Sequence, residues 1–95
     1  MTFRLEIKEE AADEINDAFA YYENQKEGLG SEFINLLEEY FDQITHTPLL
    51  YPEGHGHRVA VMGRFPYKIV YGTEGSSVVV FAVFHTSRDP KRLNR

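Results

Sequence analysis

Seven consecutive apolar residues, Val78 to Phe84 (VVVFAVF), constrain this chain more than any other feature. Their β-branched and aromatic side chains suit a strand, and the run has a strand's length rather than a helix's. No position in it is polar, so neither face can be left to water. The run predicts a strand in the middle of a sheet with both faces covered. The rest of the chain must supply that cover, and 95 residues suffice for one compact domain and no more.

The segment TFRLEI alternates, with Phe3, Leu5 and Ile7 on one side and polar residues on the other, which predicts a half-buried strand. The period then changes. From Glu9 to about Lys26 the residues Ala11, Ala12, Ile15, Ala18, Phe19 and Tyr22 recur at helical spacing, and Glu9, Glu10 and Asp13 favour the positive end of the helix dipole. A second apolar stripe, Leu29, Phe33, Leu36, Leu37, Tyr40, Phe41 and Ile44, runs until Pro48 stops it. The glycines of GLGS separate the two helices, which read as an antiparallel hairpin. PLLYPEGHG reads as a connector without an element of its own. Strands follow at about His57 to Met62, Tyr67 to Tyr71 and Val78 to His85. The expected fold is a single α+β domain over residues 1–95, in the order β-α-α-β-β-β. Its helical hairpin packs on one face of a mainly antiparallel four-stranded sheet.

There are no cysteines, which excludes a disulfide scaffold, a thiolate zinc site and thiol catalysis. Charges at Arg4, Glu6 and Lys8 break the start of the chain where a signal peptide would be apolar, and no segment reaches membrane-spanning length. The expectation is a cytoplasmic protein with no membrane partner. The net charge of −5 hides a division: residues 1–55 hold three basic and thirteen acidic residues, whereas residues 56–95 hold seven basic and two acidic. Arg58, Arg64, Lys68, Arg88, Lys91, Arg92 and Arg95 thus gather around the predicted sheet and its tail, a local surface suited to an anion or an acidic partner.

Three features bear on chemistry. His46, His55 and His57 fix no coordination geometry and lack a completing ligand, so no metal and no cofactor are expected. In RFPYKIVY, Lys68 points away from Tyr67 and Ile69, onto the face opposite the helices if those two pack against them; an ordinary solvated lysine and a functional one are both consistent with this. In FHTSRDP, His85 ends the apolar strand. A histidine there, near Lys68 or Arg64, could act as general acid or base while Arg64, Lys68 and Arg88 stabilise a phosphate, as in a ribonuclease. Without a second, clearly placed acid or base, the favoured reading is a hydrogen-bonded strand end, with Arg88 and Asp89 pairing locally before Pro90.

These segments carry a resemblance. AYYE at Ala20 to Glu23, GLGSEF at Gly28 to Phe33, YP at Tyr51 and Pro52, RFPYKIVY at Arg64 to Tyr71 and AVFHTSRDP at Ala82 to Pro90 follow one another at intervals that resemble the RelE/ParE superfamily. The likeness is greatest to its ParE branch, the plasmid-stabilisation toxins of type II toxin–antitoxin pairs. That resemblance implies a toxin neutralised by a cognate antitoxin. In the ParE branch the implied target is DNA gyrase, poisoned by binding; in the RelE branch the toxin cuts mRNA on the ribosome.

This chain departs from the nuclease pattern. Lys68 stands where an arginine often follows a tyrosine, and the tail KRLNR has no aromatic residue to stack on a base. It departs from both branches in being acidic overall, which disfavours the ribosome more than a protein target. The expectation is therefore a ParE-like, non-enzymatic inhibitor with Arg58, Arg64, Lys68, His85 and Arg88 shaping the partner-binding surface. The alternatives are a ribosome-dependent endoribonuclease using Lys68, His85, Arg88 and Arg64, and a non-toxic family member kept for complex formation. A homodimer and a toxin–antitoxin hetero-oligomer are both open.

Overall fold

A computed structural model describes residues 2–87. The elements run β1 (Arg4–Ile7), α1 (Glu9–Gln25), α2 (Leu29–His46), β2 (Glu53–Gly54), β3 (His57–Val61), β4 (Tyr67–Glu74) and β5 (Ser77–His85). The sheet has five strands in the order β1-β5-β4-β3-β2, parallel between β1 and β5 and antiparallel elsewhere. The α+β class and the helical hairpin on one face stand as expected, with one strand more than predicted.

The extra strand lies in the connector read as irregular. Gly54 pairs with His57, and the two residues between them, His55 and Gly56, have φ of 56° and 84°. Two left-handed residues in a two-residue loop make a tight hairpin turn whose twist matches the strands. Asparagine–glycine usually fills such a turn; histidine–glycine does so here and hides the signal.

The two helices are tied together by one carboxylate. Glu23, near the end of α1, accepts the amide N–H of Gly28 (2.9 Å) and of Gly30 (3.0 Å) through its two oxygens. The N-cap of α2 is Gly28 in the left-handed region, which has no side chain to cap with. A glutamate from the preceding helix does that job and adds negative charge at the positive end of α2. Glu23→Ala should lower stability by about 1–2 kcal/mol in urea unfolding, the range of a lost cap.

Between hairpin and sheet the core is aromatic. Phe33 is fully buried, with its ring 5.6 Å from Tyr22, 5.3 Å from Phe65 and 5.1 Å from Tyr67. Ile69, Tyr71, Val78, Val80 and Val83 extend this core along β4 and β5. Tyr71, also fully buried, donates its hydroxyl to Pro48 O at 2.7 Å and so anchors the connector. Burial raises its pKa above the usual tyrosine value, an effect partly offset by Arg58; burial also raises that of Tyr51. A folded pKa above the unfolded one stabilises below the unfolded pKa and is lost as pH rises through the folded value. Stability should therefore hold across neutrality and fall above about pH 10. Tyr71→Phe should flatten that fall in pH-dependent denaturation, while costing about 1–3 kcal/mol at neutral pH because Pro48 O loses its donor.

Candidate functional site

The two faces of the sheet differ. On β4, Tyr67, Ile69 and Tyr71 point to the helices and are buried, so Lys68 and Val70 point to the opposite, open face. On β5 the register slips: Tyr71 pairs with Val80 but Val70 pairs with Ala82, which leaves Phe81 as a bulge. The slip resets the alternation, so Val78, Val80 and Val83 face the helices while Val79, Ala82 and Phe84 face the other way.

The helix-free face carries a shallow groove of about 630 Å³. Val59, Val70, Phe81, Ala82 and Phe84 form its floor, with Lys68 among them, and His55, His57 and Glu10 lie at its rim. The His57 ring meets Phe81 edge-on at 5.1 Å. A floor of this kind buries apolar side chains, while Lys68 and the two histidines suit a carboxylate. The turn at His55 places a non-glycine residue in the left-handed region directly at this rim. The strand pattern had singled out Lys68 alone. The β5 residues of the groove were not legible because the bulge at Phe81 disguises which face each of them serves.

The other site residues read from the sequence lie elsewhere. Arg58 faces the helix side, opposite Tyr71, and donates to Tyr51 O at 2.8 Å and to Glu53 at 3.4 Å; it braces the connector. Arg64, in the β3–β4 loop, pairs with Glu32 on α2, and its guanidinium carbon lies 5.2 Å from the Phe65 ring centroid. His85 pairs in register with Tyr67, so it too faces the helix side, with the rings 5.3 Å apart. Its Nδ1 accepts the Ser87 amide N–H at 3.0 Å, which leaves the proton of a neutral ring on Nε2. The recess it borders, about 420 Å³, is also lined by Glu14, Asp17 and Tyr21. Arg88 lies outside the described residues, as do Asp89, Lys91, Arg92 and Arg95.

Lys68 and His85 therefore stand on opposite faces of the sheet, and Arg64 is turned toward α2. Among the described residues no group of three or more His, Cys, Asp or Glu could hold a metal ion. No helix among them is long and apolar enough to cross a membrane.

Comparison with known proteins agrees with this architecture. A family model described as "ParE toxin of type II toxin-antitoxin system, parDE" matches residues 5–90. A solved structure titled "Chromosomal ParDE TA system from P. aeruginosa" superposes with a TM-score of 0.77. The match covers 88% of this chain and 96% of that one, at 12% identity, a likeness of fold. No curated protein matches the sequence.

Proposed function

Because the chain belongs to the ParE toxin family of type II toxin–antitoxin systems, we propose that it is a toxin that inhibits an essential bacterial enzyme, DNA gyrase, by binding it, and that a cognate antitoxin neutralises it. The observation that carries the binding mode is the separation of Lys68 from His85, two of the groups a ribonuclease would have to bring together. Lys68 is on the helix-free face, whereas His85 points the other way, toward a recess bordered by Glu14 and Asp17. A general acid–base needs hydrogen-bond reach of the reacting oxygen with its cationic helpers on the same side. The groove around Lys68 suits a protein segment better: it has an apolar floor for side chains, with a lysine, two histidines and Glu10 as the polar groups around it. Of the partner-binding set, Lys68 is then the residue in direct contact, and Arg58 and Arg64 support the scaffold around it.

Induction of the protein alone, with DNA supercoiling and translation followed in parallel, tests this reading. Growth should stop with supercoiling lost first, and the His85→Ala variant should arrest growth as the parent does. Codon-positioned mRNA cuts that vanish in His85→Ala would instead establish the endoribonuclease, and harmless expression would establish a non-toxic member. Lys68→Glu should weaken the antitoxin complex at least tenfold, about 1.4 kcal/mol, and should reduce its salt dependence.

A further inference from the structure

The end of β5 outruns the strand beside it. Strand β1 pairs with β5 only as far as Val80, where Lys8 N donates to Val80 O, and Phe81 to His85 continue past it. Among the described residues α1, not a strand, flanks that stretch: Glu14 Oε1 accepts the Val83 amide N–H at 2.8 Å. Between α1 and the strand end lies the recess of about 420 Å³ that His85 borders. Ala18, Tyr21, Tyr67 and Val83 give it apolar walls, and Glu14 and Asp17 give it carboxylates.

Helix α1 carries acidic residues at Glu9, Glu10, Asp13, Glu14, Asp17 and Glu23 and no basic residue at all. Asp13 and Asp17 are four residues apart, a like-charge spacing that destabilises a helix unless an opposite charge meets it. The described cations of the basic half are committed elsewhere. Arg58 is held by Tyr51 and Glu53, Arg64 pairs with Glu32, and Lys68 stands on the helix-free face. The other four, Arg88, Lys91, Arg92 and Arg95, fall in residues 88–95, which lie outside the described residues and hold one acidic residue, Asp89. That segment begins three positions after His85. Its eight residues reach about 26 Å when extended, whereas α1 from Asp13 to Tyr21 is about 12 Å long.

We infer that residues 88–95 of this same chain dock into the recess, their basic side chains meeting Asp13, Glu14 and Asp17 and Leu93 supplying apolar contact. Charge and attachment select this occupant together. A segment tethered so close meets the recess at an effective concentration in the mM range, which a basic segment of a second copy or of another protein must exceed. The docked segment fills the space beside His85 and commits Arg88 to the chain's own α1. The division between an acidic and a basic half is then complementarity within one molecule. The inference is independent of the toxin reading and is tested without reference to toxicity.

Because the chain has no cysteine, Asn94→Cys carries a single nitroxide on the whole ¹⁵N-labelled protein. The amide resonances of Asp13, Asp17 and Tyr21 should lose most of their intensity, and those of Val59 and Val70 on the helix-free face should keep theirs. Salt at about 1 M, where the Debye length is about 3 Å, should restore the lost signals. So should Asp13→Lys with Asp17→Lys, two exposed positions whose exchange leaves the core intact, and, from the other side, Arg88→Glu with Arg92→Glu. Full intensity at the α1 amides, losses spread evenly over the surface, or losses centred on Val59 and Val70 would each overturn the inference. Losses that persist in both charge-reversed variants would do the same. So would losses in a ¹⁵N-labelled chain without nitroxide when it is mixed with the unlabelled nitroxide chain, which would mark a second copy as the occupant.

Discussion

Phe33→Ala should lower unfolding free energy by about 3–5 kcal/mol, the range for deleting a buried aromatic ring. Phe33 is fully buried and touches three other aromatic rings that come from α1, the β3–β4 loop and β4. Removal therefore opens a cavity where hairpin and sheet meet, and the surrounding rings cannot all collapse into it. A domain of this size is stable by about 5–15 kcal/mol in total, so the variant should sit close to its unfolding threshold at 37 °C. Urea unfolding checks this: the midpoint should fall with an unchanged slope. A loss below about 1.5 kcal/mol would mean that the ring cluster packs more loosely than these distances imply.

Gly30→Ala is the second large effect, and it acts through close approach rather than loss of contact. A Cβ on Gly30 would lie 2.7 Å from the backbone oxygen of Phe19, and 2.9 Å from both Phe19 Cδ1 and Glu23 Oε1. The oxygen belongs to α1 itself and cannot swing aside, so the helices must separate. Overpacking of this kind costs about 1–3 kcal/mol. The displaced carboxylate would also loosen its hydrogen bonds to Gly28 and Gly30. Alanine's better helix propensity returns about 1 kcal/mol at most, so the sign stays destabilising. The same substitution in the Glu23→Ala background should cost less, because one of the three contacts is already gone; additivity of the two losses would count against a shared contact.

The helices were legible because their apolar stripes hold helical spacing over four turns or more, and the caps confirm the boundaries set by the GLGS break and Pro48. The apolar run Val78 to Phe84 was legible as an interior strand, though β5 lies second from an edge rather than at the centre. Its character has two causes: the helices cover one face, and the bulge at Phe81 scrambles the alternation on the other. Strand β2 was missed because one unusual turn residue, His55, stands where asparagine is the common signal. Ile7 was expected inward with Phe3 and Leu5, but an edge strand with no further neighbour leaves it partly in water.

The site was less legible than the fold. Strand alternation placed Lys68 on the helix-free face, as found, and separated His85 from Phe84. It could not show that Lys68 and Phe84 pair in register, which puts His85 and Lys68 on opposite faces; that follows only from strand register, a long-range property. Arg58 and Arg64 looked like surface cations from charge counting. Each instead has local partners, Tyr51 and Glu53 for one and Glu32 for the other, that become neighbours only when the connector and α2 pack against the sheet.

Supercoiling by purified gyrase in the presence of the purified chain tests the central claim most directly. Wild-type protein and the His85→Ala variant should both abolish ATP-dependent supercoiling at similar concentrations, with activity restored by prior addition of the antitoxin. Undisturbed supercoiling at a large molar excess of the wild-type chain would contradict the account.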